Sequence, residues 1–484
     1  MTTTASTPAV TGTVTSPRMT ARARLVLFVL CAAQFMVALD FSILNIALPT
    51  LGPDIGLSEA DLQWAVTAFA LPSGGFLLLF GRLGDVIGRR KIFIGGLVLF
   101  ILASVLAATS WDATPFLIAR AAQGLAAAAI VPTGMALLTT SFAEGPLRDR
   151  ALGISGMLLS LGFTIGMVFG GVLTEVFGWR STMALGVFMA GIVLVSAPLL
   201  LRESRATQRQ RLDVPGAVTV SGGLLAVIYA VSSAAQRGWA QPDVLLALVV
   251  GAALLVTFAV VESRAEHPLV AIRVLRMPTV AWGNLGGIVT FSMMSAVMFL
   301  ITLYLQQVLG LSPVISGLVF GVMGVISFIT GAIAPRLVGR FGSQRMLVAG
   351  LLIQAACIAT LLLVGSNEGM LLAAAAGSAG CVGHLIAIVS YGITATSGLT
   401  DDLQGLATGL VTTAQQMGLT IGVPVIAAVA AAHTAALRSA GSSTADALLG
   451  GYRLGFGVDA AIVACTALVI GLFLLRRDRS ESLR

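Results

Sequence analysis

What the sequence holds least of is charge. Only 10% of its 484 residues are Asp, Glu, Lys or Arg, against 57% hydrophobic residues and a mean hydropathy of +0.98. Soluble domains carry about 25% charge, so a water-soluble fold is excluded and a polytopic membrane protein is indicated. Lysine is nearly missing: 27 of the 28 basic residues are arginine and Lys91 is the one exception. That bias points to a GC-rich bacterial genome and says nothing about function. The four cysteines, Cys31, Cys357, Cys381 and Cys465, fall inside apolar runs with no pairing or metal-ligand spacing. They read as small core residues. The loops are short and hold no His/Cys/Asp/Glu cluster, nucleophile–base pair or phosphate loop, which argues against an integral-membrane enzyme. No sizeable soluble output domain is present, which argues against a sensor or scaffold. No metal and no cofactor is expected.

What is there is a series of long apolar runs. Residues 1–24 are rich in Thr, Ser, Ala and Pro and read as a disordered tail, not a cleavable signal peptide. Fourteen runs of spanning length follow, at about 25–48, 62–81, 92–110, 115–142, 151–177, 181–201, 214–235, 243–261, 279–307, 313–335, 346–364, 370–397, 405–432 and 455–475. An even number puts both termini on one side. Loops on that side hold 23 basic residues, whereas the opposite loops hold Arg180, Arg237, Arg438 and Arg453, and Arg120 lies within a span. The asymmetry places both termini in the cytoplasm.

The chain also repeats itself. Gly56-Leu57-Ser58 matches Gly310-Leu311-Ser312, and Gly81-Arg82-Leu83 with Gly88 and Lys91 matches Pro335-Arg336-Leu337 with Gly342 and Arg345, both at an offset of 254. Gly162-Phe163-Thr164-Ile165-Gly166 matches Gly418-Leu419-Thr420-Ile421-Gly422 at an offset of 256. A duplicated six-helix bundle follows, at 25–201 and 279–475, with residues 202–278 carrying two extra spans and 476–484 a tail. Repeats of this kind place a transport site between the halves near the bilayer midplane. The copies differ in charge: Asp40 corresponds to Met294, Asp85 to Gly339 and Arg120 to Ala374.

Asp40 is the residue that calls for an explanation. It sits a little past the middle of the first span, where a carboxylate costs ~2.5–3.5 kcal/mol on insertion scales. It must face protein or water, as a working group or as a polar residue held for packing. Arg120, Gln123 and Gly124 share one face of the fourth span. A buried guanidinium needs a partner, and either Asp40 or backbone carbonyls can supply it. Elsewhere no acid reads as deep: Glu175, Glu368 and Asp459 fall near outer ends, Asp401 and Asp402 at a cytoplasmic end. His384 is the one histidine deep in a span, a proton relay or a satisfied core residue. Phe41, Asn45, Gln123, Gln306, Gln354, His384, Tyr391 and Gln415 are candidate cavity-lining residues, although helix-to-helix hydrogen bonds explain polar groups there equally well.

The stretch Gly81-Arg82-Leu83-Gly84-Asp85-Val86-Ile87-Gly88-Arg89-Arg90-Lys91 reads as a cytoplasmic loop whose glycines permit a tight turn. Asp85 can pair with an arginine or cap a helix across the bundle, or the loop is a solvated basic turn. This stretch resembles motif A of the major facilitator superfamily, and Leu117 to Gly124 resembles its motif B. Leu39 to Pro49, and Tyr304-Leu305-Gln306 with Gly310 to Pro313, resemble the fourteen-span drug:proton antiporters of the EmrB/QacA type.

The resemblance implies an all-α fold of two six-helix bundles plus two inserted helices. It implies proton coupling at Asp40 and Arg120, and a cytoplasmic gate at Gly81, Arg82, Asp85, Gly88 and Arg89. Gly162, Gly166, Gly170 and Gly171 resemble the helix-packing antiporter motif, with Met167 where that motif has proline. After Trp179-Arg180, Gly186 and Phe188 stand where the sixth helix usually has Asn and Pro. The expected function is proton-driven export of hydrophobic small molecules by alternating access. The alternative is a dedicated carrier, exporter or importer, of one metabolite or self-made antibiotic. The expected setting is a bacterial plasma membrane, with lipophilic substrate, protons and lipid as partners, no nucleic acid, and a functional monomer.

Overall fold

In a bilayer every backbone amide must find its partner within the chain, so apolar runs of this length become helices. The computed structural model describes residues 19–58, 61–142, 146–205, 214–238, 240–264, 274, 277–366, 369–399 and 401–481. The expected tail up to residue 18, linker stretches 206–213 and 265–273, and Glu368 lie outside the described residues. The helices are α1 (Ala21–Asp54), α2 (Leu62–Gly75), α3 (Leu77–Ile87), α4 (Arg89–Ala108), α5 (Ala113–Ser141), α6 (Pro146–Phe177) and α7 (Arg180–Leu200). They continue with α8 (Val214–Arg237), α9 (Pro242–Arg264), α10 (Pro278–Leu303), α11 (Pro313–Phe341), α12 (Ser343–Thr360), α13 (Met370–Thr396), α14 (Asp401–Ser439) and α15 (Thr444–Glu481).

Twelve of these helices are long and apolar enough to cross a membrane, and the pair α2/α3, bent by 50°, makes a thirteenth crossing. The shorter apolar stretch Val218–Val227 within α8 stands at the seventh predicted run. Thirteen of the fourteen predicted runs are thus spanning helices among the described residues, and α8 holds the other. Trp282 at the start of α10 stacks on Phe473 of α15, and Gln306 just past its other end reaches Ile46 late in α1, so α1 starts and α15 finishes at one end of the bundle, here the terminal end. The opposite end is the far end.

Three local expectations change. The second run is broken, not continuous: α2 contains Pro72 and stops at Gly75 before α3 resumes. Proline removes a backbone donor and crowds the preceding turn, so a bend follows. Residues Gly81 to Ile87 belong to α3, so the presumed loop shrinks to a corner at Gly88. There φ is +132°, and at the repeat-related Gly342 it is +85°, conformations that glycine adopts at little steric cost. Finally, α14 and α15 run well beyond the apolar runs that predicted them.

The helices pack as two groups. In the first, α1 lies along α6 with α5 and α7 beside it; in the second, α10 lies along α14 with α13 and α15 beside it. The inserted pair is a hairpin: α9 packs on α8, and α8 packs on α2 of one group and α14 of the other. Its seat is cut to size, because a Cβ at Gly75, at the bend of α2, would strike Leu225 of α8. The groups meet along α6/α11 and α2/α14. Small residues close both seams: Gly317 and Gly324 of α11 lie against Met167 and Thr164, and Gly74 of α2 against Thr420. In lipid such packing and interhelical hydrogen bonds, not hydrophobicity, hold helices together.

Candidate functional site

Asp40 is 2% exposed and Arg120 is fully buried, and the two are joined at 2.8 Å between Oδ2 and a guanidinium Nη1. The same Nη1 donates to Gln123 Oε1 at 2.8 Å, and Arg120 Nε donates to the Ala65 carbonyl at 3.2 Å. Both partners weighed for Arg120 are thus present, the carboxylate and a backbone carbonyl. Gln123 Nε2 donates to Ser104 Oγ at 2.8 Å and to Asp40 Oδ1 at 3.3 Å. The guanidinium lies 4.6 Å from the centroid of the Phe69 ring, a cation–π contact that adds to its solvation.

The helices can approach because Gly124 of α5 leaves no side chain in the way: a Cβ there would collide with the Phe69 carbonyl of α2. On the other flank of Asp40, Gly162, Gly166 and Gly170 of α6 lie on Phe35, Leu39, Ser42 and Ile43 of α1. Gly171 instead meets Pro313 of α11, in the other group. Met167, in place of proline, is buried at the α6/α11 seam. Gly186 faces Phe100 and Ser104, so the position of the absent asparagine lies beside the Gln123 network.

The second group holds a neutral counterpart. Thr290 Oγ1 lies 2.6 Å from Gln354 Oε1 and 2.9 Å from His384 Nδ1, and Gln354 Nε2 donates to the Thr290 carbonyl at 3.3 Å. Phe291 stands edge-on to His384 and Tyr391, at centroid distances of 5.2 and 6.1 Å. The Tyr391 hydroxyl donates to the Val411 carbonyl, one turn before the half-buried Gln415. Three predicted residues, Gln354, His384 and Tyr391, therefore gather in one place. Phe41, with Phe69 and Phe163, and Asn45, whose amide donates to the Phe41 carbonyl, sit on α1 with Asp40.

Gln306 reaches across the groups to donate to the Ile46 carbonyl at 3.0 Å. It stands on a π-helical turn, Tyr304–Val308, that continues α10; such turns often mark functional positions. Further towards the far end, Glu175 of α6 accepts from the Val314 amide of α11 at 3.0 Å. The ties between groups thus run from the far end to the middle. A cavity of about 330 Å³ opens among them at the far end, lined by Gln63 of α2, Phe299 and Leu300 of α10, Gln307, Ala430 of α14 and Tyr452 of α15.

The motif at the terminal end is bound within its own group. Asp85 pairs with Arg89 four residues on, at 2.8 Å, and not across the bundle. The Arg89 amide donates to the Ser204 carbonyl at 3.0 Å and the Arg90 amide to Glu203 Oε1 at 3.1 Å. A Cβ at Gly88 would strike the Glu203 carboxylate. Gly84 packs on Thr133 and Gly81 near Pro132, both of α5, so the corner is wedged between α5 and the end of α7. Arg82 is half-buried on α3.

Sequence reasoning missed several partners and one cavity residue. Ser104, Phe69 and Thr290, and Gln63 at the cavity, are uncharged residues in apolar runs, with no signal beyond their polarity or ring. Two readings are corrected. Cys465 is exposed on the outside of the bundle and is not a core residue. Asp459 is not near a helix end: it is fully buried, at the middle of the apolar span Thr444–Leu474. Gly450, Gly451 and Arg453 interrupt the apolar run there, so the span was read as starting too late. Arg453 is accommodated by the Val364 carbonyl. A second deep acid removes the ground for treating Asp40 as the sole one.

Residues 30–423 match the family model described as Major Facilitator Superfamily. The chain is 35% identical over 475 residues to the puromycin resistance protein of Streptomyces alboniger, covering 94% of this chain and 92% of that one. It is also 35% identical over 432 residues to the cephamycin export protein of Amycolatopsis lactamdurans, covering 87% of each. Among solved structures, a POT family transporter in complex with a thioalcohol-conjugated peptide superposes with a TM-score of 0.71 at 12% identity, covering 93% of this chain and 96% of that one. At that identity the likeness concerns the fold, which is the same. The charged pair, the two helix groups and the family match converge: this chain belongs to the major facilitator superfamily of membrane transporters.

Proposed function

We propose that the protein is a proton-driven exporter of hydrophobic small molecules in a bacterial plasma membrane, with both termini cytoplasmic, working as a monomer. The observation that carries this reading is the buried Asp40–Arg120 pair with its Gln123–Ser104 support. Protonating Asp40 removes the charge that holds Arg120 Nη1. Arg120 keeps Gln123 and the Ala65 carbonyl, so the pair has two arrangements that a proton selects between. Ties that run from the far end to the middle then correspond to a carrier closed outside. The corner at Asp85–Arg89, bound to its own group, is the cytoplasmic gate in its released position. Substrate would bind between the groups, near Phe41, Asn45 and Gln306 on one side and Gln354, His384, Tyr391 and Gln415 on the other.

One proton moving down 100 mV supplies ~2.3 kcal/mol, enough for a roughly fiftyfold substrate gradient before any pH term. A dedicated antibiotic exporter is the second reading. It draws on relatives that include a cephamycin export protein and a probable actinorhodin transporter. Purified protein in liposomes, loaded with a panel of lipophilic dyes and antibiotics, separates the two. Broad efflux that rises with an imposed pH gradient supports the first, and efflux of one compound alone supports the second. Efflux indifferent to the gradient would reject proton coupling in both.

A further inference from the structure

Asp459 has no place in the arrangement above, yet it is the most isolated acid among the described residues. It is fully buried, and both carboxyl oxygens lack a hydrogen-bond partner. Asp40, by comparison, has Arg120 and Gln123. An ionised carboxylate with neither counter-charge nor donor is not sustained in a dry interior; the group is kept neutral by a proton instead. The surroundings offer no substitute. Of the elements packed on α15, α10 carries no titratable side chain, and the turn after it brings Tyr304. Helix α12 brings Arg345 and Cys357, and α14 brings His433 and Arg438, with Asp401 and Asp402 in its first turn. On α15 itself stand Asp446, Tyr452, Arg453 and Cys465, and Arg476 follows about 25 Å further along. None of these hydrogen-bonds to the Asp459 carboxyl.

The residue nevertheless lies on a helix face that leads to the far side of the protein. Leu448, Tyr452, Gly455 and Asp459 follow one another at helical spacings of four, three and four, and so share one face of α15. Leu448 and Tyr452 line the far-end cavity of about 330 Å³. Gly455 lies against Leu300 and Ala430, which line it too. Asp459 is the next residue on that stripe, about 6 Å below. Among its mostly apolar walls the cavity offers polar groups: Gln63, 2% exposed, has neither amide atom on a protein partner, and Tyr452 donates to Gln307 Oε1.

We infer that Asp459 is a second proton-binding site, serving the C-terminal bundle and loaded from the far side through this cavity. Resting on the proton-coupled reading above, the protein then moves two protons per cycle, one on Asp40 and one on Asp459. In that division of labour Asp40 signals through the loss of an ion pair, whereas Asp459 is a bare acid whose proton leaves only when the bundle opens to water.

Two measurements test it. The first needs no substrate: infrared spectra of the purified full-length protein in lipid at neutral pH. The expected result is a carbonyl band of a protonated carboxylic acid that disappears in Asp459→Asn, shifts in Asp459→Glu and persists in Asp40→Asn. A wild-type spectrum without that band, or one unchanged by both Asp459 substitutions, would overturn the assignment. The second measures the ethidium gradient at which net flux stops in liposomes, under a one-unit pH gradient with the membrane potential clamped at zero. Two protons sustain a gradient of about 100-fold and one proton about 10-fold, since each proton contributes a factor of ten per pH unit. The wild type should reach the former and Asp459→Asn the latter. Equal gradients in both would overturn two-proton coupling through Asp459. A wild type indifferent to pH would instead sink the proton-coupled reading, while the infrared result still decides whether Asp459 holds a proton.

Discussion

The two bundles share a backbone plan and differ in what they place inside it. Gly162 and Gly166 let α6 lie on Phe35 to Ser42 of α1; Gly418 and Gly422 let α14 lie on Ile288 to Ser292 of α10. The corners at Gly56 and Gly310, and at Gly88 and Gly342, take positive φ at matching places. Within that frame the first bundle buries a charged pair, Asp40–Arg120, and the second a neutral cluster, Thr290–Gln354–His384. Phe100 in the first corresponds to Gln354 in the second at the same offset of 254, so each cluster has lost what the other has. The shared plan keeps what helix contact demands and leaves the buried chemistry free to differ. A transporter whose halves rock against each other needs similar mechanics on both sides, but not the same chemistry.

Substitutions that break this comparison should rank by what they leave unpaired. The largest effect is expected for Arg120→Leu, which strands Asp40 without its counter-charge; losing one partner of a buried pair costs about 3–5 kcal/mol. Thermal unfolding in detergent should fall sharply, and far less for the double change with Asp40→Asn. Equal losses in single and double variants would mean that Arg120 acts by packing alone. Next come Gly166→Val and Gly422→Val, which push a side chain into the α1 and α10 backbones respectively. Overpacking typically costs 1–3 kcal/mol, and equivalent frames should suffer alike. A large loss at one glycine with none at the other would break the claimed equivalence.

Gln354→Leu should cost less, about 1–2 kcal/mol, because its partner Thr290 is uncharged and can turn its hydroxyl to His384 instead. The smallest effect on stability is expected for Asp85→Asn. Its ion pair with Arg89 is partly exposed, worth about 0.5 kcal/mol. It should slow turnover while leaving substrate affinity nearly unchanged, since the corner lies far from the middle of the bundle. Initial-rate kinetics over a range of dye concentrations would check it, and a tenfold change in apparent affinity would argue against a gate.

Much of this was legible in the residues. Fourteen apolar runs, the repeat and the Asp40–Arg120 pairing follow from hydropathy, spacing and the cost of burying single charges. The break in α2 was less visible, because Pro72 within a membrane span need not bend it so far, and because Gly75 answers to Leu225 of an inserted helix that local pattern does not reveal. The helical character of Gly81 to Ile87 was masked by its glycines, whose real reason is contact with α5. Asp459 was misplaced because Gly450, Gly451 and Arg453 lower the local hydropathy, although tertiary contacts keep that stretch helical and the Val364 carbonyl receives the arginine. Which neutral residues would partner the charges, Ser104 or Thr290 for example, depended on helix rotation, which periodicity alone leaves open.

The central claim is that the charge in the first bundle is the coupling element, and one comparison addresses it directly. Wild type and Asp40→Asn are reconstituted in liposomes, and ethidium movement is recorded twice: as exchange without a pH gradient, and as uphill transport with one. The account predicts that Asp40→Asn retains exchange but that its uphill transport falls to no more than the roughly tenfold gradient per pH unit that a proton on Asp459 alone can sustain, because the carrier still rocks and Asp40 no longer titrates. Uphill transport by Asp40→Asn at the wild-type rate would contradict it.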